Sequence, residues 1–128
     1  MEANRAIAAA HAAAAGAGQA MSCAVVDSRG DLISIARMDG ARFFTTDLAR
    51  GKAVSSALFT QPSGNLVSLP PAVVTALAGT GARLALLRGA VPVLRNSQNF
   101  GAIGCSGGTG QQDEDAAKAG QQLLQAAR

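Results

Sequence analysis

The residues whose types and spacing could do chemistry are densest toward the C-terminus. Gly101-Ala-Ile-Gly-Cys-Ser-Gly-Gly-Thr-Gly-Gln-Gln-Asp-Glu114 reads as an apolar strand that enters a glycine-rich turn and then the acidic first turn of a helix. Glycine at 107, 108 and 110 lets a ligand or a second chain approach main-chain amides that a β-carbon would obstruct. Thr109 is placed to cap the helix, and Gln112 three residues later completes a capping box. The amides from Ser106 to Gln111 then form a nest for an anion, because a helix start adds orphan N–H groups and partial positive charge. The plainer alternative is a tight turn with no ligand. Arg37 and Asp39 form a second grouping, at a strand end where polar groups can converge on a ligand or merely make a surface ion pair worth under about 1 kcal/mol. His11 is the one histidine of the chain. It is either a satisfied half-buried side chain or a ligand or acid–base group.

Composition limits what these groups can serve. At 128 residues the chain reads as a single domain, 1–128, with room for a core. Alanine and glycine supply much of its apolar fraction, and Trp and Tyr are absent, so close backbone packing is expected. A net charge of +3 without a run of Lys or Arg, and few aromatics to stack on bases, argue against nucleic acid and membrane surfaces as partners. Cys23 and Cys105 lie in separate apolar strands without metal-ligand or haem-attachment spacing, and two buried, reduced thiols are expected. No stretch has the length of a membrane span and the N-terminal segment lacks the apolar run of a signal peptide, so a cytoplasmic location is the expectation.

The elements that must position these residues follow from periodicity and breakers. Alanine-rich 2–17 predicts a helix that stops at Gly16 and Gly18, with Ala3, Ile7 and His11 on one face. Met21 to Asp27 and Leu32 to Met38 flank Asp27-Ser-Arg-Gly-Asp31, a hairpin signature. Thr45 or Thr46 caps a second helix to about Phe59, with Asp47 in its first turn and Lys52 and Gly51 along it. Thr60 to Pro71 is a loop with a single turn at 64–67, and Pro70-Pro71 start a short helix ending near Gly79. Residues 83–87 fit either a helical extension or a strand. Val91 to Arg95 and Gln98 to Ser106 form a last hairpin, and the final helix carries Ala116, Ala117, Gly120, Leu123, Leu124 and Ala127 on its apolar face. The order predicts an α+β domain in α/β/α layers: a mainly antiparallel sheet of about five strands with helices on its faces. Small-residue helices and Gly51 predict a homo-oligomer packed through them.

Taken together, several blocks resemble the GlcG/HbpS haem-binding family. They are Ala24-Val-Val-Asp-Ser-Arg-Gly-Asp-Leu32, Arg37-Met-Asp-Gly-Ala41, Ala49-Arg-Gly-Lys-Ala53, Val91-Pro-Val93, Gly101-Ala-Ile-Gly-Cys-Ser-Gly-Gly108 and Gln112-Asp-Glu114, and they span nearly the whole chain in order. Gly89-Ala90 and Pro62-Ser63 depart from the family pattern in loops that can line a pocket. The resemblance implies non-covalent haem binding, sensing or degradation, and assembly from dimers up to octamers. On that reading His11 and then Cys105 are the iron ligands, while Arg37, Lys52 and the amides near Gly107 and Gly108 receive the propionates. A second expectation is a cofactor-free isomerase, lyase or cyclase acting on a small carboxylate-bearing metabolite, with Arg37 and Lys52 holding the anion and Asp39, Asp113 or Glu114 as acid or base. A third is a non-catalytic partner subunit.

Overall fold

The computed structural model describes residues 2–126. Its elements are α1 (Ala3–Gly16), β1 (Ser22–Val26), β2 (Leu32–Arg37), α2 (Thr45–Phe59), a 3₁₀ turn (Ser63–Leu66), α3 (Pro71–Ala78), β3 (Ala90–Arg95), β4 (Gln98–Ser106) and α4 (Gly110–Ala126). Ala127, expected on the last apolar face, lies outside the described residues. The four strands form one antiparallel sheet in the order β2-β1-β4-β3, so the architecture is α+β as expected, with four strands where about five were predicted. The difference arises at 83–87, which is neither helix nor strand. There the Ala85 amide donates to Ser55 Oγ at 3.1 Å, so a side chain does what a ladder would have done.

Alternation along β1 and β4 sends neighbouring residues to opposite sides of the sheet, and both sides are covered. On one side Cys23, Val25, Val91, Val93, Ile103 and Cys105 pack with α1 and α4. On the other Val26 and Ala102 pack with Ala53, Val54 and Ala57 of α2. The small residues are used inside the chain. A β-carbon on Gly120 would lie 2.7 Å from the Ala6 carbonyl oxygen, and one on Gly51 would lie 2.9 Å from Ala85 Cβ. This corrects the expectation that Gly51 meets another subunit, because Ala85 of its own chain already occupies that space. Cys23 and Cys105 face each other in register on β1 and β4 and are disulfide-bonded. The two reduced thiols expected from the sequence are thus one bridge.

Helix starts differ in how they are closed. The predicted capping box at α4 is present: Thr109 Oγ1 accepts from the Gln112 amide at 3.2 Å and Gln112 Oε1 accepts from the Thr109 amide at 3.0 Å. At α2 neither threonine caps; Thr45 Oγ1 instead donates backwards to the Arg42 carbonyl at 2.7 Å, and Phe44 occupies the cap position. Gly120→Ala should lower stability by about 1–3 kcal/mol, the usual cost of overpacking. Gly16→Ala, where an added β-carbon meets nothing within 4 Å, should be neutral or stabilising. Urea unfolding of the two variants checks the contrast.

Candidate functional site

A cleft of about 340 Å³ opens where the C-terminal end of β4, the start of α4 and the first two turns of α2 meet. Its floor is Lys52. This lysine is buried, and its ammonium donates to Asp113 Oδ2 at 3.0 Å and to the Cys105 carbonyl at 3.2 Å. Asp113 Oδ1 accepts in turn from the Gly108 amide at 2.8 Å. The nest read from the glycines therefore exists, and its anion is the chain's own carboxylate, folded back from the first turn of α4. Glycine is needed at two points of this arrangement. At Gly89 (φ 144°) a β-carbon would meet Lys52 Nζ at 2.8 Å and the Cys105 oxygen at 2.6 Å. At Gly107 (φ 146°) it would meet Met21 Cα at 2.9 Å.

Burial pushes the Asp113 carboxyl above its ordinary value, against the opposing pull of the Gly108 amide and then the Lys52 ammonium. Polar side chains also border the cleft. Ser22 and Ser106 face each other in register across β1 and β4, and Ser22 Oγ shares a 2.7 Å hydrogen bond with Thr45 Oγ1. The mouth is different in character: Arg42 and Arg88 stand beside Phe44, Leu48 and Leu87. Arg88 is anchored by Gln111 Oε1 at 3.3 Å and by Glu114 Oε2 at 3.5 Å, the latter also facing Lys118. Past Leu48 and Leu87 the cleft continues as an apolar groove of about 420 Å³ along Val74, Ala78 and Leu84.

Of the residues predicted for the site, Lys52, Gly107, Gly108 and Asp113 come together, and Glu114 stands behind Arg88 at the rim. Arg37 and Asp39 are exposed and line no part of the cleft. Cys105 contributes only its carbonyl, since its sulfur is in the bridge and no thiolate remains for iron. His11 lies on α1, on the opposite side of the sheet, with burial holding its imidazole below the ordinary value and its Nε2 shielded without a partner. Among the described residues no group of three or more His, Cys, Asp or Glu is placed to hold a metal. Sequence reasoning missed Arg42 and Arg88. The signal for both was positional, one just after the Asp39-Gly40 turn and the other just before Gly89.

Comparison with known proteins gives a consistent set of relatives. The family model described as "Haem degrading protein HbpS-like" matches residues 1–122. An uncharacterised 15.0 kDa protein of Citrobacter freundii from the dhaT-dhaS intergenic region is 33% identical over 92 residues, which are 70% of this chain and 65% of that one. The chain thus spans just under two thirds of that relative. Among solved structures, Klebsiella pneumoniae ORFY superposes with a TM-score of 0.88 at 28% identity, covering 98% of this chain and 88% of its own. A double mutant of Streptomyces reticuli HbpS gives 0.80 at 32% identity, covering 94% and 82%. The PduOC:heme complex, at 21% identity and a TM-score of 0.84 over 93% and 88%, shares the fold.

Removing one member of the buried pair leaves the other charge uncompensated, so Lys52→Met should cost about 3–5 kcal/mol, and Lys52→Met with Asp113→Leu should recover most of that loss. The pH dependence has a definite sign. Between the ordinary value of 3.8 and its raised native value, Asp113 holds a proton more tightly folded than unfolded, so its contribution falls as pH rises through that window. Asp113→Asn should flatten that part of the profile, measured by unfolding midpoints at stepped pH.

Proposed function

We propose, from the premise that the chain belongs to the HbpS-like family, that the cleft and its apolar extension bind haem or a closely similar flat ring carrying carboxylates. One observation carries this reading: two arginines at the rim of a cleft that runs on past Leu48 and Leu87 into an apolar groove, with the buried Lys52 at its floor already neutralised. Such a trough suits a ligand that is anionic at one edge and apolar over its faces. Arg42 and Arg88 would take the carboxylates, Arg88 in the orientation that Gln111 and Glu114 impose, while Leu48, Leu87 and Val74 cover the ring. The description of the matching family, "Haem degrading protein HbpS-like", supports the same class of ligand. The fit is to carboxylates and ring and does not extend to the iron, since among the described residues no His, Cys, Met or Tyr lines the trough. Haem when bound would bring redox chemistry that the chain's own residues lack; their part is to bind, orient and exclude water.

Titration with hemin should give a saturable Soret band that weakens at least tenfold in affinity in Arg88→Ala and Arg42→Ala. His11→Ala should leave it unchanged, because His11 and the trough lie on opposite sides of the sheet. Loss of the band in His11→Ala with retention in Arg88→Ala would move the site to α1 and overturn the reading.

A second reading is favoured by Asp113 alone: a buried carboxyl with a raised proton affinity, beside a lysine, at the floor of a cationic cleft. On it, a small carboxylate held by Arg42 and Arg88 would lose a proton from carbon to Asp113 and regain it at a neighbouring atom, an isomerisation needing no cofactor. Turnover without haem, abolished in Asp113→Asn, would favour it over the first.

The homo-oligomer is also proposed, through a different surface from the one read in the sequence. No residue of α3 is buried, although the helix is Pro-Ala-Val-Val-Thr-Ala-Leu-Ala. An eight-residue helix without packing is too short to persist in water. No charged residue occurs between Thr60 and Ala82, so a second copy can meet this face without opposing like charges, whereas the chain as a whole carries +3. Light scattering should find at least a dimer at micromolar concentration, and Val73→Asp, at a position 40% exposed, should give a folded monomer. An unchanged assembly in that variant would exclude α3 as the contact.

A further inference from the structure

Beside α2, where Ala82 also borders the far end of the trough, a cavity of about 280 Å³ is lined by three arginines from three separate parts of the chain. Arg29 comes from the β1–β2 hairpin, Arg50 from α2, and Arg83 from the irregular segment before β3. Among the described residues no carboxylate lines this cavity. Arg29 reaches Asp31 only at 4.0 Å with both side chains largely in solvent, a contact of little energetic weight. Asp47, the acidic residue of the first turn of α2, borders the adjoining groove with Arg50 and Arg83 and makes no ion pair among the described residues.

Arg50 is the telling member. Its Nε is shielded from solvent and has no hydrogen-bond partner. A guanidinium stays charged under all ordinary conditions, so it cannot shed the cost of burial by losing its proton. A buried donor without an acceptor is rare in native structures and calls for an ion or water at that place. Two further guanidiniums at the same cavity raise the local positive potential, which water does not neutralise and an anion does. The wall beside them is Val54 and Leu58, and Gly30 keeps the hairpin tip close, since a β-carbon there would lie 3.3 Å from Val54 Cγ1.

We infer that this cavity binds a phosphate group carried by a small ligand. Three guanidinium-bearing side chains lining one cavity match the several terminal oxygens and the double charge of a phosphate better than they match a single carboxylate. Val54 and Leu58 leave an apolar surface for the rest of the ligand. The cavity meets the far end of the trough at Ala82, but none of its three arginines lines the trough, and neither the binding of haem nor acid–base chemistry at Asp113 bears on it.

The test uses the full chain and follows the Nε–Hε resonance of Arg50 during titration with inorganic phosphate and pyrophosphate at constant ionic strength. A saturable shift of that resonance, with pyrophosphate binding at one site per chain, is expected. Arg50→Gln should weaken pyrophosphate binding roughly tenfold, the loss of one charge-assisted hydrogen bond. Arg50→Lys should not restore it, because an ammonium lacks the fork. Arg5→Gln, on the far helix, should bind as the parent does. If Arg50→Gln does not fold, Arg83→Gln and Arg29→Gln at exposed positions carry the same comparison. The inference fails if the Arg50 resonance does not move at low millimolar pyrophosphate, or if Arg5→Gln weakens binding as much as the cavity variants do. Equal competition by citrate or acetate would also overturn it, by assigning the cavity to carboxylates, including those of another protein chain.

Discussion

The buried contact between Lys52 and Asp113 is the constraint on which the rest of the site depends. Through one ammonium group it joins the middle of α2, the last residues of β4 and the first turn of α4. A lysine and an aspartate both this deeply buried are stable only when every polar atom finds a partner, since desolvation of each ion costs several kcal/mol. The backbone around them is shaped to meet that demand. Gly89 is stripped of a side chain so that the ammonium can pass, and the turn at Gly107 and Gly108 presents an amide to the carboxylate. Gly89 is thus a consequence of the ion pair, Gly107 is required by the approach of the backbone at Met21, and a glycine-rich turn that looks like a ligand cradle is already occupied by the chain's own carboxylate.

That self-occupied nest alters what the cleft can do. With its floor neutralised, the charge presented outward is that of Arg42 and Arg88, both at the rim and one of them braced by Glu114. On the proposed function, an anion would be met at the mouth, where water is still present, and selectivity for the remainder of the ligand would fall to Leu48, Leu87 and the groove beyond. A small carboxylate would use only the mouth. A ligand with a large apolar body uses both, which is why the same geometry serves the larger ligand better.

How much of this was legible in the sequence depended on how local the cause was. The capping box of α4 was read correctly because Thr109 and Gln112 are three residues apart and their bonds are decided within one turn. Both hairpins were legible for the same reason, and so was the α+β architecture that follows from them. The Lys52–Asp113 pair could only be half seen. Each residue could be proposed singly, but their meeting requires α2 and α4 to converge on one end of the sheet, which no spacing records. The Cys23–Cys105 bridge is a similar case: it is a property of the β1–β4 register, between strands that are neighbours in space and remote in the chain. Residues 83–87 misled in another way, since an apolar run with no turn residue promises regular structure, and a serine hydroxyl on α2 removed the need for it.

The surfaces that remain are divided by charge in a way that follows from composition. The chain has few apolar side chains larger than valine to cover its helices, and alanine and glycine close the gaps between α1, α4 and the sheet. Large apolar groups that might have filled a deeper core are left outside instead, at Phe43, Leu58, Leu87 and along α3. Arginines stand between them, at the trough mouth on one side of the 83–87 segment and around Arg50 on the other. An Ala-rich core thus has an indirect result: by making the interior thin, it places the chain's apolar and cationic groups together at its surface. Adjacent apolar and cationic surface is the combination that recognises an anionic ligand with an apolar body.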